Sequence, residues 1–90
     1  MTFEWHARKA SANLRKHGVS FDEAATAFGD IRSIAIADPG HSVSEERLIL
    51  IGRSIRGRLL VVVHTERGVS IRLLSAREAT RAERRTYEEG

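Results

Sequence analysis

The feature that most constrains the fold is a run of three apolar β segments joined by short connections. The segments are residues 47–53, 58–65 and 69–76. Each connection is three or four residues long and contains one glycine, Gly57 or Gly68. Short glycine-containing connections between apolar runs predict antiparallel hairpins. The first two segments are apolar at nearly every central position, which is typical of strands covered on both faces of a sheet.

The N-terminal part of the chain predicts two helices joined by a tight turn. Residues 7–17 carry apolar side chains at helical spacing, and Gly18 is suited to end that helix because glycine adopts positive φ without steric cost. Ser20, followed three residues later by Glu23, is a capping box that begins a second helix extending to about Phe28. The two helices form an αα-hairpin, which we expect to cover one face of the sheet.

Further elements complete an α+β fold in the order β-α-α-β-β-β-β-α. Short strands are predicted at residues 3–5 and 34–36, and a polar break follows at residues 38–45. The last helix begins near residues 78–81, where two capping sequences compete. Residues 1–90 are therefore predicted to form a single domain with an antiparallel sheet, an N-terminal helical hairpin and a C-terminal helix. The second face of the sheet needs a cover, either the last helix or another protein.

Composition excludes several classes of protein. The chain has no cysteine, which excludes disulfides, thiolate catalysis and cysteine-ligated zinc, and fits a reducing cytoplasm. The N-terminus has no apolar segment typical of a signal peptide, and no apolar run approaches the roughly 18 residues of a membrane span. We therefore expect a cytoplasmic protein without a membrane anchor.

Arginine dominates the basic residues. The net charge is +3, and 13 of the 15 Lys and Arg residues are arginine. Two explanations remain open at this point. One is a GC-rich codon bias, and the other is phosphate recognition, because the planar guanidinium binds anions through paired donors.

The last twenty residues indicate where a phosphate would bind. Arg72 is embedded in an apolar strand, and Arg77 follows where that strand leads into the last helix. A fixed guanidinium beside a helix N-terminus is a plausible anion site, because unpaired N–H groups and the helix dipole add to its positive charge. In so basic a chain, this pattern points to nucleic acid.

The strand ends and the last helix carry further cations. We hypothesise that antiparallel neighbours bring Arg53, His64 and Arg72 onto one surface, the alternative being rim residues whose polar ends reach water. The last helix carries a basic stripe, which either follows a phosphate backbone or is a solvated face neutralised by nearby glutamates. The members of this stripe are Arg77, Arg81, Arg84 and Arg85.

The candidate chemistry is RNA cleavage without a metal ion. Such a reaction needs a proton acceptor for the attacking 2′-OH, a proton donor for the leaving 5′-oxygen and cations at the phosphate. The candidates for proton transfer are His64, Glu46 and Lys9, and those for phosphate binding are Arg53, Arg72 and Arg77. Tyr87 either stacks on a base or packs on the sheet, and Glu46 alternatively forms a surface ion pair with Arg47.

No metal or cofactor is predicted. The four histidines lack the short spacing of a metal site, and no nucleotide-binding glycine motif occurs. His17 lies in the last turn of the first helix, where it suits the negative end of the helix dipole better than a role as a base.

Three groups of residues resemble the BrnT toxin family. The first comprises Phe3-Glu4-Trp5, Lys9, Asn13, the run from Lys16 to Phe21, and Glu23-Ala24. The second comprises Asp38-Pro39, His41-Ser42 and Glu46-Arg47, and the third Ile71-Arg72, Ser75-Ala76-Arg77, Thr80, Glu83-Arg84 and Tyr87. Each group alone is weak, but the combination covers nearly the whole chain and is specific. One departure is His6, where the family usually has Asp, and we expect a weaker N-cap there.

The resemblance implies a ribonuclease toxin of a bacterial type II toxin–antitoxin system, with a fold similar to the RelE toxins and metal-independent RNA cleavage that inhibits translation and growth. It also implies a BrnA-like antitoxin with a ribbon-helix-helix domain, a 2:2 hetero-oligomer, and contact with operator DNA only through the antitoxin. Arg72 and Arg77 match the family motif directly, whereas His64 rests on local chemistry alone. The alternatives are a non-catalytic nucleic-acid-binding module and a protein that only docks a partner.

Overall fold

The computed structural model describes residues 1–38 and 46–90, within which a five-stranded sheet packs with three α-helices. Along the chain the elements are β1 (Thr2–Glu4), α1 (Ala7–His17), α2 (Phe21–Thr26) followed by a 3₁₀ turn (Ala27–Gly29), β2 (Ile34–Ala37), β3 (Leu48–Arg53), β4 (Leu59–Arg67), β5 (Ser70–Glu78) and α3 (Arg81–Glu89). The predicted order of elements is confirmed. Most of the predicted polar break, residues 39–45, lies outside the described residues. No described helix has both the length and the apolar character to span a membrane.

Capping residues explain where the helices begin and end. Gly18 ends α1 with a left-handed φ of 70°. The N-cap of α1 is His6, whose Nδ1 accepts a hydrogen bond from the Arg8 backbone N–H over 3.3 Å, a long contact for a cap. Of the two competing caps for α3, the structure uses Thr80 and Glu83, which form a complete capping box. β5 therefore extends to Glu78, two residues before this N-cap.

The strands lie in the order β1-β5-β4-β3-β2. The four strands from β2 to β5 are antiparallel neighbours, as the short connections predict. β1 instead lies at one edge and runs parallel to β5, from the pair Thr2–Ser70 to the pair Glu4–Arg72. The sequence does not predict this pairing, because it joins segments 68 residues apart without a local turn between them.

A one-residue irregularity interrupts the pairing of β4 with β5. Val63 pairs with Ser75, whereas the next residue, His64, pairs with Leu73, so that Leu74 has no partner in β4. An extra residue of this kind is a β-bulge. Because side chains alternate between the two faces of a strand, the bulge exchanges the faces occupied by odd- and even-numbered residues of β5 on its two sides.

One face of the sheet packs against α1, α2 and the 3₁₀ turn. The helical side contributes Val19, Phe21, Ala24 and Ala27, and the sheet contributes Leu50, Leu60, Val62, Ile71, Leu73 and Ala76. The opposite face carries a smaller apolar cluster of Ile51, Leu59 and Val61, against which Tyr87 and Ala79 pack. The last helix therefore provides the cover that the second face requires.

Asn13 attaches α1 to the outer edge of β5. Its Nδ2 donates to the carbonyl oxygens of Val19 and Ala76, over 2.9 and 2.8 Å, and its Oδ1 accepts from the Ala76 N–H over 3.0 Å. β1 ends at the pair Glu4–Arg72, so among the described residues no strand pairs with this part of β5. The buried side-chain amide of Asn13 takes the place of a strand residue at that edge.

A buried ion pair joins α2 to the β3–β4 hairpin. The carboxylate of Glu23 accepts hydrogen bonds from the guanidinium of Arg58 through both oxygens, and from the hydroxyl of Ser54 over 2.7 Å. The same guanidinium donates to the carbonyl oxygen of Gly18 over 3.0 Å. The hydrogen bonds from Arg58 lower the pKa of Glu23 to about 2, even though burial alone would raise it.

We predict that Arg58→Met lowers the free energy of unfolding by about 3–5 kcal/mol at neutral pH, because it leaves the Glu23 carboxylate buried without its cation. Urea denaturation measures this change. Arg56→Met is the matched control: the Arg56 side chain is 73% exposed and its guanidinium lies 4.0 Å from the same carboxylate, so its effect should stay within about 0.5 kcal/mol. Equal losses in the two variants would contradict the role given to Arg58.

A second prediction concerns the stability of the protein at acidic pH. Since the folded-state pKa of Glu23 is about 2 and its ordinary value is 4.5, its stabilising effect is complete above about pH 4.5 and disappears as the pH falls towards 2. The difference in unfolding free energy between the wild type and Glu23→Gln should therefore shrink across that window. A difference that stays constant from neutral pH to pH 2 would show that the charge of Glu23 does not contribute.

Candidate functional site

The bulge in β5 brings the two predicted phosphate-binding arginines onto one face of the sheet. Arg72 and Arg77 are five residues apart, so in a regular strand their side chains would point to opposite faces. In the structure they pair with Thr65 and Val61, which lie on the same face of β4. Ser75, paired with Val63, lies on this face between them. The four-residue separation on β4 corresponds to about 13 Å along the strand. We call Arg72, Ser75 and Arg77 the β5 row.

Arg77 is held by the residue that caps α3. Its two terminal nitrogens each donate to a different oxygen of Glu83, both over 2.8 Å, and Nη1 also donates to the Glu78 carbonyl oxygen. The guanidinium of Arg77 lowers the pKa of Glu83 to about 2. The anion at the N-terminus of α3 is therefore a carboxylate of the chain itself. Among the described residues, Nε and one hydrogen of Nη2 have no acceptor, and this edge of the guanidinium remains able to bind a second anion.

Arg72 lies at the other end of the row and is less tightly held. Its guanidinium donates to Glu4 of β1 over 3.1 Å, and Arg67 lies 3.6 Å from the same carboxylate oxygen. Thr65, its partner on β4, is 1% exposed, and its hydroxyl finds no hydrogen-bond partner. The Glu4 carboxylate is thus shared by two guanidinium groups, whereas Arg77 binds both oxygens of Glu83.

The predicted grouping of Arg53, His64 and Arg72 is wrong. His64 pairs with Leu73 on the helical face of the sheet, where it is 2% exposed and its ring packs edge-on against Phe28 at 4.8 Å. Burial lowers the pKa of His64 below 6.5, so that its ring is neutral near pH 7. His64 is at an even-numbered position of β4, whereas the β5 row pairs with odd-numbered positions, so the two lie on opposite faces of the sheet. The sequence does not show how β4 and β5 pair, and so it could not reveal this separation.

Arg53 is on the same face as the β5 row but at the far end of the sheet. It pairs with Leu59, six positions along β4 from Thr65, which corresponds to about 20 Å. There the guanidinium lies 5.7 Å from the centre of the Tyr87 ring, and the Tyr87 hydroxyl donates to Asp30 over 2.6 Å. Arg53 and Tyr87 border a hollow of about 500 Å³ between α3 and the start of β2. The structure thus brings together two predicted RNA-binding residues, Arg53 and Tyr87, away from the row.

The remaining predicted residues are exposed and lie on three elements. Lys9 is on α1 and borders a groove that also includes Ser75. Glu46 precedes β3, at the end of the sheet where Arg72 lies. Arg81, Arg84 and Arg85 are on the exposed surface of α3. The predicted stripe is wrong in one member, because Arg77 belongs to β5 and pairs with Val61.

The sequence reading missed Glu83 as a partner of Arg77, and it missed Ser75 as a member of the row. A capping box that places Glu three residues after Thr80 was visible in the sequence, but the reach of that carboxylate to a strand was not. Ser75 entered the sequence analysis only as part of the run Ser75-Ala76-Arg77, because its position on the row depends on the bulge. Within residues 1–38 and 46–90, no group of three His, Asp or Glu residues is arranged to hold a metal ion.

The structure is a small α+β domain with Arg72 and Arg77 on one face of its sheet. The family model of BrnT, the ribonuclease toxin of type II toxin–antitoxin systems, matches residues 5–83. The chain therefore belongs to the BrnT family of ribonuclease toxins. The matched range includes the whole β5 row and Glu83, and excludes Tyr87.

A solved structure supports the fold. The chain is similar to the crystal structure of the Brucella abortus ribonuclease toxin BrnT, with a TM-score of 0.65 and 23% sequence identity, over 90% of this chain and 99% of that chain. At this identity the likeness concerns the fold alone. No curated protein matches the chain.

The single tyrosine of the chain allows a direct test of the Asp30–Tyr87 contact. The hydrogen bond to Asp30 raises the pKa of Tyr87 above 10.0, because the carboxylate stabilises the neutral phenol and repels the phenolate. Ultraviolet absorbance of the phenolate should give a midpoint above that of free tyrosine, and Asp30→Asn should bring it back towards 10. Circular dichroism over the same titration confirms that the protein stays folded. A wild-type midpoint at or below 10 in folded protein would contradict the contact.

Proposed function

We propose that the protein is a metal-independent endoribonuclease that acts as the toxin of a type II toxin–antitoxin system in the cytoplasm. In this reaction the 2′-OH of the RNA gives its proton to a base and attacks the adjacent phosphate, the bond from phosphorus to the 5′-oxygen breaks, and the 5′-oxygen takes up a proton from water, so that one product ends in a 2′,3′-cyclic phosphate. Family membership supports the class of activity, and the β5 row supports the site.

The observation that carries the proposal is the placement of Arg72, Ser75 and Arg77 on one face of the sheet, where each side chain is half-buried. Cleavage by 2′-OH attack concentrates negative charge on the phosphate in the transition state, and guanidinium donors held in fixed positions stabilise such charge most effectively. Arg77 is oriented by Glu83 and retains a free donor edge, while Arg72 is oriented by Glu4. Both cations are thus positioned before substrate binds.

We assign the proton acceptor to Glu46. Its carboxylate is exposed, and it precedes β3 at the end of the sheet where Arg72 lies, two strands away. Adjacent strands are about 4.8 Å apart. An RNA substrate that lies across β4 can therefore contact both Glu46 and Arg72. His64 is not part of this proposal, since it is buried on the opposite face. Lys9, Arg53, Arg81, Arg84 and Tyr87 are proposed as contacts to flanking RNA.

The proposed partner is a BrnA-like antitoxin with a ribbon-helix-helix domain, in a 2:2 assembly that contacts operator DNA through the antitoxin only. Membership of a type II family supports the presence of a protein antitoxin. A second candidate function is a non-catalytic RNA-binding module. The burial of His64 on the opposite face favours it, because this candidate for proton transfer is then absent from the β5 row.

The deciding experiment is the incubation of purified protein with single-stranded RNA in EDTA. We expect cuts that leave 2′,3′-cyclic phosphate ends, and a loss of rate of about 100-fold or more in Arg72→Ala and in Arg77→Ala, on the scale typical of removing one donor from a transition-state site. Arg56→Ala, which removes an exposed arginine of the β3–β4 connection, should cleave like the wild type.

Other outcomes separate the alternatives. Folded wild-type protein that binds RNA without cutting it would favour the binding module. Cleavage that persists in both row variants would place the active site elsewhere. Cleavage that appears only when a divalent metal is added would contradict the metal-independent mechanism.

A further inference from the structure

A groove runs between α1 and the outer edge of β5, next to the β5 row. Its volume is about 240 Å³, and its lining residues are Lys9, Ala12, Asn13, Lys16, His17, Leu74 and Ser75. The groove exists because β1 pairs with β5 only as far as Arg72, so that α1 rather than a strand borders the edge beyond the bulge. We call this the α1–β5 groove.

The walls of the groove are held in place by Asn13. Its three hydrogen bonds, two of them to Ala76, attach the middle of α1 to β5. Lys9 precedes Asn13 by four residues and Lys16 follows it by three, so both project on the same side of the helix as the amide. The two ammonium groups therefore lie along the groove, about 10 Å apart along the helix axis.

The charge of the groove is positive and uncompensated. No acidic residue lines it, and α1 contains neither Asp nor Glu. Within the described part of the chain, neither Lys9 nor Lys16 has an ion-pair partner, and the hydroxyl of Ser75 has no hydrogen-bond partner. In contrast, Arg72 and Arg77 of the neighbouring row are each paired with a carboxylate. Free cations, an unpaired hydroxyl and the imidazole of His17 together match the oxygens of a phosphodiester.

We propose that the α1–β5 groove binds the backbone phosphates of single-stranded RNA that flank the scissile phosphate. Ser75 belongs both to the groove and to the β5 row, so the RNA strand crosses the edge of β5 at this residue and passes from the row into the groove. Lys9 and Lys16 each neutralise one phosphate, and His17 and Ser75 donate hydrogen bonds between them. The inference rests on the proposed RNA-cleaving function and adds Lys16 and His17 to its binding surface.

The test measures binding separately from cleavage. A fluorescent single-stranded RNA with 2′-O-methyl groups at every position lacks the attacking hydroxyl, so it reports affinity without being cut. Fluorescence anisotropy across a range of salt concentrations gives the dissociation constant and the number of phosphates neutralised. We expect Lys9→Ala/Lys16→Ala to weaken binding at least tenfold at low salt, and to reduce the slope of log K against log salt by about 1.4, from about 0.7 per phosphate contact.

The matched control is Arg8→Ala/Arg15→Ala. It removes the same charge from the same helix at the same seven-residue spacing, but neither side chain lines the groove. The control should leave the slope unchanged, and His17→Ala and Ser75→Ala should each weaken binding by a smaller factor than the lysine pair. Circular dichroism checks that all variants are folded. We expect them to fold, because every substituted residue is exposed or half-buried.

Three results would overturn the inference. The first is equal weakening by the two charge pairs, which would indicate the net charge of α1 rather than a groove. The second is binding unaffected by either pair, or no binding by wild-type protein. The third is binding of poly-glutamate that depends on Lys9 and Lys16 while RNA binding does not, which would assign the groove to an acidic protein partner.

Failure of this inference is distinguishable from failure of the proposed function. Groove-dependent binding of the methylated RNA, together with no cleavage of ordinary RNA, would retain the groove and reject the ribonuclease. Cleavage of ordinary RNA with binding indifferent to the lysine pair would retain the ribonuclease and reject the groove.

Discussion

The extra residue at Leu74 is the constraint on which both faces of the sheet depend. On the helical side it allows Leu73 and Ala76 to enter the same core, although they are three residues apart. On the other side it aligns Arg72 with Arg77. A regular strand would bury one arginine whenever it exposed the other. The bulge thus lets one strand contribute to a dry core and to a charged surface at once, and Asn13 holds the edge beside it.

The charges of the surface divide into two kinds that suit different tasks. Arg72 and Arg77 are ion-paired, which restricts their side chains and gives the fixed geometry that transition-state stabilisation requires. Lys9 and Lys16 are unpaired on an exposed helix, which suits the longer-range, salt-sensitive attraction of a phosphate backbone. The proposed path of RNA, from groove to row, follows this division: flexible cations hold the strand and fixed cations act on one phosphate.

Local signals in the sequence predicted most of the fold. Gly18 and the Ser20–Glu23 pair marked the helical hairpin, and the glycine-containing connections marked the antiparallel strands, because caps and tight turns act over a few residues. The parallel pairing of β1 with β5 was not predictable, since nothing local joins these segments. Of the residues proposed for the site, Arg72 and Arg77 share one face of the sheet, whereas His64 lies on the opposite face and Arg53 at the far end of the sheet.

The sequence by itself determined the elements, their order and the presence of Arg72 in the last strand, since propensity, capping and turn chemistry depend on near neighbours. Only the tertiary structure decided which side chains share a face. One unpaired residue, Leu74, changes the alternation of β5, and one long-range amide, Asn13, converts its open edge into a groove wall. Both effects arise from contacts between segments distant in the chain, and such contacts leave no periodic pattern in the sequence.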